Sequence, residues 1–211
     1  MARVLIIGAS RGIGLEACQQ ALDAGHEVRA FARSADGIRL SSPRLEKVHG
    51  DARNSADVQA AMKGTDAVIQ SLGVGPRDLF RPVSLFSEAT RVLIAAMTAE
   101  GVSRLICVTG FGAGDSRSKI SLMQLIPFEL VFGRIYNDKS LQERLIRRSA
   151  LEWTIARPGI LTRGPRTGQY KILAAPSEWR GGTISRADVA DFLVRQIEDR
   201  SCLRKAPVLV Y

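Results

Sequence analysis

Histidine and cysteine are scarce in this chain. Two histidines (His26, His49) and three cysteines (Cys18, Cys107, Cys202) occur in 211 residues. None stands at metal-ligand spacing, so no metal centre is expected. An odd number of cysteines, with two in core-like runs, reads as buried reduced thiols of a cytoplasmic protein and excludes a disulfide framework. Gly8-Ala9-Ser10-Arg11-Gly12 matches the G-x-S-x-G turn of serine hydrolases. That chemistry needs an acid and then a late histidine after the serine, and both histidines lie early, so a hydrolase is rejected. No apolar run is long enough to span a bilayer; the longest, 120–132, is interrupted by Pro127 and Glu129. Met1 leads directly into the first apolar run, so no signal peptide is expected. With no linker, repeat or low-complexity stretch, 1–211 reads as one domain. Acids are outnumbered, 21 against 30 Lys plus Arg, for a formal charge of +9. The arginines are spread (Arg39, Arg44, Arg77, Arg117, Arg134, Arg147, Arg180, Arg204) rather than clustered with aromatics, so nucleic acid is not an expected partner. Spread charge favours solubility and the steering of an anionic ligand.

The most informative stretch is RVLIIGASRGIG, from Arg3 to Gly14. A short apolar run meets Gly8, Gly12 and Gly14, and apolar residues then resume at helical spacing (Ile13, Ala17, Cys18, Ala21, Leu22) up to Gly25. This pattern predicts a buried parallel strand, a glycine turn and a helix N-terminus. Such a junction points free N–H groups and the positive end of the helix dipole at a phosphate. Gly8 and Gly12 allow positive φ and close backbone approach, Gly14 allows tight helix–strand packing, and Ser10 supplies a hydroxyl. The plain alternative is a turn that only joins strand to helix.

Strand and helix signals alternate along the rest of the chain. Strands are expected over 4–7, 27–32, 46–49, 66–71, 104–109, 153–156 and 207–211. Helices are expected over 12–24, 55–62 (Ser55 as N-cap), 84–100, 136–149 and 185–199, the last opened by a Ser185–Asp188 capping box. The order predicts an α/β fold: a Rossmann-type, doubly wound parallel sheet in three layers. Ligands then sit in the turns after the strands, near the reversal of strand order.

Read in order, those turns suit an adenine dinucleotide. An NAD site places an acid about 20 residues past the glycine turn, but none occurs between Val28 and Ala35. Arg33 stands there instead, and Arg11 lies in the glycine turn. Two guanidiniums suit a 2′-phosphate by charge and fork geometry, so NADP(H) is expected over NAD(H). Asp51 and Ala52 follow the third strand, where a short acid accepts from the adenine amino group or caps the next helix. Ser71-Leu72-Gly73 lets backbone pass close to the cofactor. Thr109, after the fifth strand, is a hydroxyl for the nicotinamide end. Tyr136 and Lys139 lie on adjacent helical turns as an acid–base pair, Lys139 also suiting the nicotinamide ribose. Alternatively, Lys139–Glu143 and Glu143–Arg147 are i,i+4 pairs bracing an exposed helix.

These residues resemble the short-chain dehydrogenase/reductase superfamily. The chain is most similar to its atypical single-domain NAD(P)H-binding branch, the NmrA-like and biliverdin IXβ/flavin reductase-like proteins. The resemblance rests on GASRGIG, Gly50-Asp51, Asp66-Ala-Val-Ile, Asp138-Lys139 through Glu143, Trp153-Thr154-Ile155, Arg157-Pro158-Gly159 and Thr167-Gly168-Gln169-Tyr170. It implies that Lys139 holds the nicotinamide ribose and that Pro158 and Gly159 form the turn beside the nicotinamide. The chain departs from the classical Y-x-x-x-K pattern: Tyr136-Asn-Asp-Lys139 is one residue short, Ile135 fills the tyrosine position, and Gly110 stands where the flavin reductase branch has serine. The expected function is hydride transfer from NADP(H) to a small apolar or aromatic acceptor: a quinone, flavin or enone. A non-catalytic NADP(H) sensor or scaffold is the alternative, and an epimerase or dehydratase ranks lower. Segment 115–135, rich in apolar residues, is expected to be a substrate-side or lid segment, or else a dimer contact or core helix. Arg163 and Arg166 are candidates for an acidic substituent on the substrate.

Overall fold

The computed structural model describes residues 1–75 and 82–211. Arg77, one of the dispersed arginines, lies outside them. Strands β1 (Arg3–Ile7), β2 (Glu27–Ala32), β3 (Leu45–His49), β4 (Ala67–Gln70), β5 (Arg104–Val108) and β6 (Glu152–Pro158) run parallel. The short β7 (Ile160–Thr162) and β9 (Thr183–Ser185) form a separate parallel pair. β8 (Lys171–Leu173) lies antiparallel on β10 (Val208–Val210), which pairs with β6. The main sheet has the order β3-β2-β1-β4-β5-β6-β10-β8. The order reverses between β1 and β4, which opens a crevice at the carboxyl ends of those strands.

β1 is apolar on both faces because helices cover both. Val4 and Ile6 pack with Ala17, Ala21 and Leu22 of α1 (Gly12–Asp23) and with Val189 and Leu193 of α5 (Arg186–Arg195). Leu5 and Ile7 face the other way, toward Val58 and Met62 of α2 (Ser55–Met62) and Leu93 and Met97 of α3 (Leu85–Ala99). One-residue alternation along a strand thus builds a three-layer core. Among the described residues no helix is long and apolar enough to cross a membrane.

Helix caps and bounds differ from expectation in four places, one of them the end of α5 at Arg195 rather than at 199. The cap of α2 is Asn54 rather than Ser55: its side chain accepts from the amides of Ala56 and Asp57. Ser185 caps α5 through the Asp188 amide, but Asp188 does not return the bond. Its buried carboxylate instead accepts from the Thr167 and Gly168 amides, the Thr167 hydroxyl and the Tyr211 hydroxyl. α4 runs from Leu122 to Arg148, starting well before residue 136. Pro127 removes one amide, whose partner would be the Met123 carbonyl near the helix start, so the loss is small and local.

Candidate active site

The first turn of α1 is built as an anion seat. Gly8 and Gly12 have φ of +88° and +59°, which lets the chain reverse between β1 and the helix. A side chain at Gly8 would strike the Ser71 carbonyl at the end of β4, and one at Gly14 would strike the Gly8 carbonyl. Gly14 therefore serves helix–strand packing, and its position does not line the cavity described below. Arg11, at the N-cap position, gives no side-chain cap, and the first turn of α1 carries no acid. By contrast, α2 and α5 are closed by Asn54 and Ser185, and the Asp138 carboxylate accepts from the Phe86 and Ser87 amides of α3. Among the described residues the first turn of α1, like that of α4, has no side-chain cap and no acid, and a turn of this kind can accept an anion.

A cavity of about 1290 Å³ runs from this turn along the strand ends. Its wall includes Gly8, Ser10, Arg11, Gly12 and Ile13 at the turn, then Arg33, Asp51 and Ala52 on one side. On the other side lie Ser71, Leu72, Gly73, Thr109, Lys139 and Pro158. Arg163 and Arg186 complete the cationic wall, and Leu85, Phe86, Phe132 and Ile135 give the Lys139 end an apolar lining. Among the described residues no carboxylate comes within 4.0 Å of a cation of Arg11, Arg33, Lys139, Arg163 or Arg186. Among the described residues the one acid on the wall is Asp51, held by Arg53 at 3.0 Å. Hydrogen bonds from the Arg53 side chain and amide lower its pKa below the usual carboxylate range. The wall is strongly electropositive and suits a ligand with several negative charges.

The far end is organised by a buried ion pair. Glu143 accepts from the Thr109 hydroxyl at 2.7 Å and from Arg157 Nε at 3.0 Å. Arg157, with no exposed side-chain surface, also donates to Asp115 and lies 4.8 Å from the centre of the Trp179 ring. Above this layer the Lys139 ammonium donates to the Thr109 carbonyl. It faces the rings of Phe86 and Tyr136 at 5.1 and 5.4 Å from their centres. Burial lowers its pKa to about 8.

These features match a known family. Its NAD(P)H-binding model fits residues 8–200. The chain belongs to the NAD(P)H-binding family. It is 28% identical over 201 residues to an uncharacterized chloroplastic protein of Arabidopsis thaliana, covering 92% of this chain and 71% of that one. It is 26% identical over 208 residues to the uncharacterized sugar epimerase YhfK of Bacillus subtilis, covering 97% and 92%. ChuY, an anaerobilin reductase from Escherichia coli O157:H7, superposes with a TM-score of 0.83 at 26% identity, covering 99% of this chain and 96% of that one. The family and these neighbours agree with the atypical short-chain dehydrogenase/reductase branch, and they make the fold one of NAD(P)H-binding oxidoreductases.

Against the family's cofactor, several sequence expectations need correction. Tyr136 is beside Lys139, as expected from its spacing, but it does not line the cavity; Ile135 does. The one-residue shift turns the phenol about 100° around the helix. Its ring packs on Phe128, 4.7 Å between centres, and its hydroxyl oxygen lies 2.7 Å from where Gly110 would carry a Cβ. The tyrosine fills the space that the missing side chain leaves. Thr109 is on the wall, but its hydroxyl is turned down to Glu143 rather than toward a nicotinamide. Of the two expected i,i+4 pairs, Glu143–Arg147 is present at 3.9 Å, but Glu143 is buried and bonded to Arg157 and does not brace Lys139 on an exposed face. Gly159 is off the wall: a side chain there would strike the Gly182 carbonyl, so it serves the approach of β7 to the loop before β9. Arg166 pairs with the buried Asp191 and is also off the wall. Among the described side chains of segment 115–135 only Phe132 and Ile135 reach the cavity, whereas Met123, Ile126 and Leu130 face outward, 69–91% exposed. Sequence reasoning missed Arg186 altogether; Ser185-Arg-Ala-Asp188 drew attention only as a cap.

Proposed function

We propose that this chain is an NADPH-dependent reductase acting on a small conjugated acceptor such as a quinone, flavin or enone. The observation that supports the cofactor choice is the cationic wall with Arg33 just after β2, where an NAD site would hold an acid. The residues fit the group. The amides and hydroxyl of the Gly8–Gly14 turn would bind the diphosphate. Arg33 and Arg11 would take the 2′-phosphate, with Asp51 and Ala52 beside the adenine. Ser71, Leu72 and Gly73 would pass along the cofactor's middle, while Lys139 would hold the nicotinamide ribose next to Pro158. When bound, the reduced nicotinamide supplies a hydride.

The acceptor class follows from what the chain offers at that end. Phe86, Leu85, Phe132 and Ile135 form an apolar wall suited to a flat ring. The Tyr136 phenol faces Gly110, so no tyrosine is placed to give a proton to a simple carbonyl. A conjugated ring spreads the incoming charge and takes its proton from solvent, so it does not need one.

The test is NADPH oxidation with a panel of quinones, flavins and enones. Turnover with at least one supports the reading. Tight NADPH binding with no turnover across the panel favours a non-catalytic sensor or scaffold, which the displaced tyrosine also suits. The name of the Bacillus relative raises an epimerase, but that chemistry needs a base beside the nicotinamide, and Tyr136 faces away from the cavity.

A further inference from the structure

We infer that Arg186 forms a second wall of the cofactor site, meeting the diphosphate across the mouth of the glycine turn. The inference rests on the dinucleotide reading of the cavity and assigns a cofactor role to the segment after β6. Arg186 is the first residue of α5, and α5 packs along α1. Its Cδ lies 3.9 Å from the point where Gly12 would carry a Cβ, so the side chain crosses the mouth of the glycine turn. One guanidinium nitrogen donates to the Thr162 carbonyl at 2.9 Å, which fixes the fork. No carboxylate of the described residues lies within ion-pair distance of it, although it lines the same cavity as Ser10 and Gly12. A guanidinium so anchored keeps most of its five N–H donors for another acceptor.

The backbone under Arg186 is cross-linked by buried acids. Asp188, two residues on, ties the Thr167–Gly168 loop and the Tyr211 hydroxyl to α5 through bonds of 2.7–2.8 Å. Asp191 ties Tyr170 and Arg166 to the same helix. α5 and the loop after β7 are therefore bonded together, and the Thr162 carbonyl holds the Arg186 guanidinium in place before a ligand arrives. This preorganisation matters because an untethered arginine loses rotamer entropy on binding. The seat faces the diphosphate shared by both dinucleotides, not the 2′-phosphate that separates them.

The test is calorimetric titration of wild type, Arg186→Ala, Arg186→Gln and Arg33→Ala with NADP⁺ and NAD⁺. Loss of a charge-assisted bond is worth roughly tenfold to a hundredfold in affinity. Arg186→Ala and Arg186→Gln are expected to weaken both dinucleotides by about the same factor in that range. Arg33→Ala is expected to weaken NADP⁺ and leave NAD⁺ nearly unchanged. Weakening of NADP⁺ alone by the Arg186 variants would move the residue to the 2′-phosphate and overturn the inference. So would unchanged affinity for both, with the dinucleotide reading intact. If wild type binds neither dinucleotide, the underlying reading fails instead. Unliganded melting temperatures of the variants within about 2 °C of wild type show that the fold is kept, and Arg186→Gln serves if Arg186→Ala does not meet this.

Discussion

Replacing Glu143 with glutamine tests the buried layer beneath the site. Glu143 and Arg157 have 2% and 0% side-chain exposure, and Thr109 donates to the same carboxylate. Removing the negative charge leaves Arg157 with Asp115, whose side chain is 54% exposed and shared with Arg147. Breaking a buried pair by neutralising one partner costs about 3–5 kcal/mol, because the other charge stays out of water. For a chain of this size each kcal/mol lowers the melting temperature by roughly 2–4 °C, so Glu143→Gln should lose about 6–20 °C. The control is Glu152→Gln, which breaks an exposed pair with Arg200 (35% and 57% side-chain exposure) and should cost about 0–1 kcal/mol. Urea unfolding with tryptophan fluorescence gives both values, Trp153 and Trp179 lying in the core. Replacing both partners, Glu143→Leu with Arg157→Met, should recover at least half of the loss, since an apolar pair needs no charge compensation. A cost for Glu143→Gln no larger than that of Glu152→Gln would refute the reasoning.

Four further outcomes are expected. Lys139 should titrate with a midpoint near 8, against about 10.4 for surface lysines, and NMR of dimethylated lysines reads this directly. Because the folded state binds fewer protons than the unfolded state between those values, Lys139 makes folding more favourable as pH rises through 8–10.4; a midpoint above 10 contradicts the burial argument. Gly8→Ala, which combines a φ of +88° with a collision against the Ser71 carbonyl, should lower stability by about 2–4 kcal/mol and abolish cofactor binding, measured by thermal melts with and without NADP⁺. Arg33→Asp should reverse the dinucleotide preference, NADH then binding more tightly than NADPH in a fluorescence titration; unchanged preference removes Arg33 from the 2′-phosphate. Tyr136→Phe should keep turnover within about twofold whichever acceptor is reduced, since the phenol is off the cavity wall, while a fall of a hundredfold would restore it to the chemistry.

The doubly wound core was legible because its signals are local. Apolar runs such as Val4–Ile7 and glycines at 8, 12 and 14 mark strand, turn and helix within a dozen residues. β7, β8 and β9 were not, since each has three residues and owes its pairing to partners far along the chain. The start of α4 was hidden by Pro127, which reads as a breaker but sits where the loss of one hydrogen bond near the helix end is tolerated. At the site, backbone roles were readable and side-chain directions were not. Thr109, Tyr136 and Lys139 were rightly placed near one another, but only packing shows that Gly110 draws the phenol away and that Glu143 draws the threonine hydroxyl down. Arg186 escaped notice because its distance from Gly12 is created by the α1–α5 contact, which no spacing in the sequence encodes.

The most direct measurement is a crystal structure of the protein soaked with NADP⁺. It should show the diphosphate on the amides of the Gly8–Gly14 turn, the 2′-phosphate within hydrogen-bond distance of Arg33, and the nicotinamide ribose at Lys139. A nucleotide bound elsewhere, or crystals saturated with NADP⁺ in which that cavity holds only solvent, would contradict the claim that the strand ends form a dinucleotide site.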